Sequence, residues 1–515
     1  MPSRNQETSA ARQYHDRTAH SPRSVRASGH VLDWTIKPSP FKIYPDLPAI
    51  SLPRDFPAAS ADTFAALSGA AGPASALDLE RLAALLFWSA GVTKTKAYPG
   101  GPEVHFRAAP STGALYQTEV YVVAGDVAGL APGLYHFCPG DFALRRLREG
   151  DFRGAVAAAA ADDEVAARPA TLVLTAIYWR NTWKYQARGY RHLFWDSGAM
   201  LSHLLAGAAA LGVPARVAAG FVDGDVNALL GLDAATEGAL VLALVGGAAR
   251  PAPPPPVTAP LAPAVIPLSA SEVGYPLLVA AYADSSLETE AEVTGWREGA
   301  VAPRRAPPPP RALTPLPAPR AAAGRALGET VQARGSTREF SGAAISASEL
   351  SSALYHATRG LAADVPSGLV DLYVNVHAVD GVAPGAYVYH PGPHALELLA
   401  PGDVRADSAV LCLDQSLGGT SSATVFFLAD LARILAGLGN RGYRAVNLEA
   451  GIVGGRLYLG AYAQRFGATG LTFYDADVVA FFSPHAAGKD AIFVTALGRS
   501  VKGPARATAP LRIGR

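Results

Sequence analysis

Two apolar stripes at helical spacing open corresponding parts of the chain. LERLAALLFWSAG (79–91) and SELSSALYHATRG (348–360) repeat apolar positions every three to four residues, the mark of a helix with one buried face. Each is followed by short strand-like runs, EVYVV (119–123) and DLYVNV (371–376), and later by an apolar strand, LVLALVG (240–246) or AIFVTALG (491–498). Between them the pattern predicts a strand ending near Tyr178 and long Ala/Leu-rich helices. These are expected to begin just after Asp196 and Glu449, because an acidic residue offsets the exposed N–H groups of a helix start. The apolar stretch from Met200 to Phe221 is broken by Pro214 and Arg216, so it reads as a buried helix and a strand. This mixture of helices and strands predicts an α+β fold.

The two parts are in register. Tyr121 and Tyr373 stand 252 positions apart (373 − 121), as do Pro132 and Pro384, and Leu144 and Leu396. RGYRHLFWDSG matches RGYRAVNLEAG at 253 (441 − 188). A period this long indicates duplicated domains. Proline-rich stretches beginning at Pro251 and Pro303 read as extended spacers around a short helical piece, YPLLVAAYADSSLETEAEVTGWR. The predicted order is an arm (1–60), a first domain (61–250), a bridge (251–320), a second domain (321–503) and a tail (504–515).

Composition narrows the function. The chain has 515 residues, enough for two or more cores, and a formal net charge of +1, which gives no footprint for nucleic acid. With two distant cysteines and a polar N-terminus, the expectation is a cytoplasmic protein without disulfides or a membrane span. No metal-ligand spacing, P-loop or dinucleotide fingerprint is present.

The candidate chemistry divides unequally between the copies. RAAPSTGALYQTE in the first contains Arg107, Pro110, Ser111, Thr112, Gly113 and Ala114. The second has only DVPSGLVDLYV: Pro110 to Tyr121 is 11 positions, Pro366 to Tyr373 is 7. Conversely, RGSTREF gives the second copy Arg334, Ser336 and Arg338, and GRSVKG adds Arg499 and Lys502. Guanidinium forks and a hydroxyl suit a phosphate group. The matching first-copy segment, SADTFAALSGAAGPASALD, has no arginine. WKYQARGYR places Lys184 beside Tyr185; GLGNRGYR puts Gly439 and Asn440 at the place taken as equivalent.

RAAPSTGALYQTEVYVV and WKYQARGYR together resemble the nitroreductase superfamily, and within it the SagB/ThcOx-type dehydrogenases with tandem domains. The resemblance implies two fused nitroreductase-like domains forming an intramolecular pseudo-dimer around FMN. It implies that the second copy's arginines hold the phosphate. The first copy's Pro-Ser loop and Gly470, Leu471 and Thr472 would lie beside the ring. Lys184 and Tyr185 would be catalytic in oxidising a small-molecule or modified-peptide substrate, azoline to azole, with partner enzymes of a biosynthetic cluster. Only one cross-domain site is expected to be complete. An NAD(P)H-dependent nitro or quinone reductase, and a non-catalytic flavin-binding or scaffold protein, are the alternatives.

Overall fold

The computed structural model describes residues 3–69, 75–97, 103–299 and 313–501. Two seven-stranded antiparallel sheets form its frame. The first contains β1 (Ala49–Ser51), β2 (Thr118–Ala124), β3 (Gly133–Cys138), β4 (Ala143–Glu149), β5 (Ala170–Ile177), β6 (Ala215–Ala218) and β7 (Glu237–Val245), in the order β1-β4-β3-β2-β5-β7-β6. The second contains β8 (Leu313–Pro315), β9 (Asp371–Val376), β10 (Gly385–His390), β11 (Ala395–Pro401), β12 (Ala423–Ala429), β13 (Gly467–Gly470) and β14 (Asp490–Gly498). Its order, β8-β11-β10-β9-β12-β14-β13, is the same plan. The middle strands β5 and β12 are buried along their whole length, as their unbroken apolar runs require.

The helices that bear on function are α1 (Ser9–Arg17), α2 (Thr63–Leu67), α3 (Leu79–Ala90), α4 (Tyr178–Tyr185) and α5 (Gly189–Ala210). Later in the chain come α6 (Pro276–Asp284), α7 (Glu290–Glu298), α8 (Leu327–Ala333), α9 (Ala347–Ala357), α10 (Leu431–Leu438) and α11 (Arg441–Ala463). The sequence expectation for α5 and α11 is corrected: they begin at Gly189 and Arg441, so Asp196 and Glu449 lie two turns inside. Their carboxylates hold loops and do not cap helix ends. Among the described residues no helix is long and apolar enough to cross a membrane.

Helices α5 and α11 cross at glycines. A Cβ on Gly198 would stand 2.4 Å from the Leu448 carbonyl oxygen, and one on Gly451 would stand 2.3 Å from that of Trp195. The bare backbones alone permit this approach. Ion pairs repeat the exchange. Arg188 and Arg191 of α5 and its N-terminal turn grip Asp475 at 3.0 and 2.6 Å. Arg441 and Arg444 of α11 grip Asp223 at 2.6 and 2.7 Å. All six side chains are buried, so each carboxylate compensates two desolvated guanidinium groups.

The arm shares in this repetition. His20 and Asp475 exchange backbone contacts at 2.8 and 3.0 Å, as Leu287 and Asp223 do at 2.9 and 3.1 Å. Arg191 donates to the His15 carbonyl, and Arg444 to that of Tyr282. Thus α1 and α6 play equivalent parts, each joining the RGYR segment of one half to the aspartate of the other.

Candidate functional site

A cleft of about 620 Å³ opens where the halves meet. Pro110, Ser111, Ala114 and Tyr116 come to it from the loop before β2, and Arg334, Ser336 and Arg338 from the turn after α8. Arg499, Arg465, Lys94 and Lys96 add positive charge to the walls, against Glu339.

The loop before β2 is held from below. Asp196, buried in α5, accepts hydrogen bonds from Ser111 Oγ (2.6 Å), Thr112 N (2.8 Å), Thr112 Oγ1 (2.6 Å) and Gln117 Nε2 (2.7 Å). Burial raises its carboxyl pKa, and these donors work against that rise. Gly113 takes φ +63°, and its missing side chain admits Tyr185: a Cβ there would be 2.9 Å from the Tyr185 hydroxyl.

Lys184 and Tyr185 end α4 beside this loop, with Lys184 Nζ 5.3 Å from the Tyr185 ring centre. Burial pushes the Tyr185 phenol up; Asp196 adds to the rise and Arg338 opposes it. Desolvation, then Arg338, pulls the Lys184 ammonium below its ordinary value. Arg338 is therefore an electrostatic neighbour of both.

On the opposite wall, Arg334 stitches the halves together: Nε donates to Ala108 O (2.6 Å) and Nη2 to Arg107 O (2.7 Å). Ser336 Oγ lies 3.5 Å from Tyr458 Oη, which accepts from Gly470 N at 2.5 Å. Arg338 is exposed and has no hydrogen-bond or ion-pair partner among the described residues.

Several predicted residues are placed differently. Arg107 is buried and turned away from the cleft: it donates to Pro40 O (2.6 Å) and Thr118 O (3.3 Å) and lies over the Tyr116 ring. Its burial lowers its pKa to about 10, and only its carbonyl serves the site, through Arg334. Arg499 lines the cleft, but its Nη2 donates to both carboxylate oxygens of Glu349, at 2.8 and 2.9 Å. Leu471 packs into the core of the second half, and Thr472 Oγ1 accepts from Gln415. Gly470 reaches the cleft only through Tyr458. Lys502 lies outside the described residues. Asp196, Gln117 and Tyr458 were not anticipated as site residues; Asp196 stands in WDSG at the register of Glu449, the one local signal for it.

A second cleft of about 590 Å³ occupies the corresponding place with the halves exchanged. Ala209, Gly212 and Val213 line it where Tyr462, Arg465 and Phe466, 253 positions later, line the first. Ala66, Leu67 and Gly69 line it at the end of α2, as Gln332, Ala333 and Gly335 line the first at the end of α8. Glu449, one methylene longer than Asp196, holds the shorter loop by accepting from Gly368 N and from Val370 N (3.0 Å). Ala219 and Gly220, at the register of Leu471 and Thr472, donate their backbone N–H to the Asp364 carboxylate at 2.7 and 3.0 Å. Arg297 of α7 locks Asp364 there at 3.1 Å.

The helix ends also correct the pairing of Lys184 and Tyr185. Gln186 and Gly439, 253 positions apart, both end their helices with positive φ (51° and 64°). The equivalents of Lys184 and Tyr185 are therefore Gly437 and Leu438, two positions earlier than Gly439 and Asn440. Trp296 and Asn5 donate to the Leu438 carbonyl, and Asn440 anchors the arm through Arg4 O, Glu7 O and Ala11 N.

Comparison with known proteins agrees with this geometry. Residues 73–247 match the nitroreductase family. A protein of Methanocaldococcus jannaschii that carries the nitroreductase name by assignment is 29% identical over 157 residues, 30% of this chain and 75% of that protein. A solved structure from Anabaena variabilis, likewise assigned to the nitroreductases, superimposes with a TM-score of 0.77 at 26% identity. It covers 95% of this chain and 99% of its own. Residues 73–247 thus resemble a nitroreductase-family domain, and the fold is shared with a solved structure over nearly the whole chain.

Proposed function

We propose that this chain is an FMN-dependent oxidoreductase of the SagB/ThcOx type, a cytoplasmic intramolecular pseudo-dimer with one flavin in the first cleft. One observation carries the reading: the Pro110–Ala114 loop of the first half and the Arg334–Arg338 turn of the second meet across a single cleft. The residues present fit the cofactor. The volume lies in the range of small-molecule sites, roughly 300–1,000 Å³. Arg338 is uncommitted, Ser336 offers a hydroxyl, and the walls are cationic, which suits a phosphate. When bound, FMN supplies the two-electron chemistry.

In this reading Arg334, Ser336 and Arg338 hold the phosphate, and the loop at Ser111–Ala114 orients the ring. Lys184, with its ammonium disfavoured by desolvation, accepts a proton from substrate carbon, and the Tyr185 hydroxyl, kept neutral by burial, orients the reacting group. The substrate class is an azoline in a peptide-derived compound, with partner enzymes that build the ring. The test is aerobic incubation of the FMN-loaded chain with a thiazoline- or oxazoline-containing peptide. A mass loss of two hydrogens supports the proposal; no change, with flavin bound, removes the dehydrogenase assignment. The names of the relatives favour a second reading, an NAD(P)H-dependent reductase of nitro or quinone compounds. Rapid bleaching of the flavin by NADPH or NADH would select it.

A further inference from the structure

We propose that Asp196 is a positioning residue for the site: it latches the ring-side loop to α5 and, through Gly113, seats Tyr185. The inference rests on the flavin reading for its effect on chemistry, whereas the latch itself stands on geometry alone.

Asp196 is 7% exposed and spends both carboxylate oxygens on one loop. Its Oδ2 takes Ser111 Oγ, Thr112 N and Gln117 Nε2; its Oδ1 takes Thr112 Oγ1. Ser111 Oγ in turn accepts from Tyr116 N at 2.9 Å, so the loop is closed on itself through the same hydroxyl. The loop needs an external hold because its backbone is unusual: Gly113, Ala114 and Tyr116 all have positive φ (63°, 55° and 51°). Two of these are not glycine, a conformation that persists only where surrounding contacts over-determine it. Gln117 also donates to His192 O of α5 at 3.2 Å, which fixes the far end. The near end meets Tyr185, whose ring packs edge-on to His192 at 4.4 Å. Helix α5 therefore supports both the loop and the tyrosine, and Asp196 sets the distance between them.

The other half shows that the device is separable from the chemistry. Glu449 stands 253 positions later (449 − 196) and holds the shortened loop by the backbone N–H groups of Gly368 and Val370. That loop presents no counterpart of Gly113 to a tyrosine, since Leu438 replaces Tyr185. The latch is kept in both halves; only in the first does the held loop meet a tyrosine.

The test uses the full chain with Asp196→Asn, and separately Ser111→Ala with Thr112→Val, which removes the loop's two hydroxyl donors and leaves the helix intact. Hydrogen exchange at the amides of Thr112 and Tyr116 reads the latch without any flavin. Both variants are expected to raise it at least tenfold. In FMN-loaded protein, both should keep the flavin within about threefold in Kd, change its visible band shape and fluorescence, and lower kcat at least tenfold. Combining the variants should add little, because they break one connection. Unchanged exchange in both variants, or effects that add fully, would overturn the latch. Faster exchange with an unchanged flavin spectrum would leave Asp196 a structural residue and overturn the positioning role. A wild-type chain that binds no flavin would sink the flavin reading, while the exchange result would still decide the latch.

Discussion

The two clefts begin from one backbone plan. In each, an acidic residue two turns into a long central helix holds the loop that precedes the middle strands. In the first cleft Asp196 holds a loop of full length through side-chain hydroxyls, and Gly113 leaves room for Tyr185. In the second, Glu449 reaches a loop four residues shorter, and Asp364 from that loop takes the backbone N–H groups of Ala219 and Gly220. The turn after α8 carries Arg334 and Arg338. After α2 the sequence carries no positive charge until Arg81. The contrast teaches how a duplicated frame becomes asymmetric. The interface that fixes the halves stays reciprocal, at Gly198 with Gly451 and at the two aspartate–arginine clusters. The clefts diverge because their side chains lie outside these reciprocal contacts.

The largest expected effect separates the clefts by chemistry. Lys184→Ala or Tyr185→Phe should lower turnover by about 10²–10⁴-fold for the group that moves the proton, with flavin content unchanged. Gly437→Ala, at the equivalent place of the second half, should leave turnover within about twofold. Equal losses on both sides, measured on one preparation, would break the comparison.

The interface should respond alike on both sides. Asp475→Asn and Asp223→Asn each leave two buried arginines undercompensated, and each should destabilise the chain by roughly 3–5 kcal/mol, read by urea unfolding. A large loss at one and none at the other would show that the halves do not lean on each other symmetrically. The Asp475 cluster also has a pH signature. Burial alone would raise its carboxyl pKa, but Arg188 and Arg191 prevail and hold it at about 2. A carboxylate with a depressed folded pKa stabilises above its unfolded value, about 3.9, and loses that contribution as pH falls toward 2. Wild type should therefore lose stability between about pH 4 and pH 2 more steeply than Asp475→Asn; parallel curves would remove the cluster's electrostatic role.

A smaller effect sharpens the assignment of the phosphate. Arg338→Ala should weaken FMN by roughly 1.5–3 kcal/mol and riboflavin much less, since only FMN carries the charged group. Arg334→Ala should weaken both, because its guanidinium also ties the Arg107–Ala108 backbone into place. Identical responses of FMN and riboflavin to Arg338→Ala would take that residue out of the clamp.

Much of this was legible in the sequence because it resides in local pattern. The helical stripes, the apolar middle strands and the 252–253 register all follow from residue spacing. So does the split of Pro110–Ala114 and Arg334–Arg338 between the copies. What was not legible depends on long-range contact. Asp196 carries no local mark of a loop latch, and an acid near a helix suggested an N-terminus. Arg107 looked available because nothing in RAAPSTG announces the Pro40 carbonyl, 67 residues earlier, that takes its guanidinium. Gly439 and Asn440 were matched to Lys184 and Tyr185 because the turn residues Gln186 and Gly439 share a conformation and no chemistry. The equivalence of α1 and α6 was hidden because it runs through backbone groups, which leave no trace in side-chain identity.

The central claim is that one cleft is built for a flavin and the other is not. The direct measurement is the flavin content of the purified chain after saturation with FMN and removal of the excess, by absorbance against protein mass. One FMN per chain is the predicted result, and Asp364→Ala should not raise it, because no arginine follows α2 as Arg334 and Arg338 follow α8. Two tightly bound FMN per chain, or none, would contradict the account.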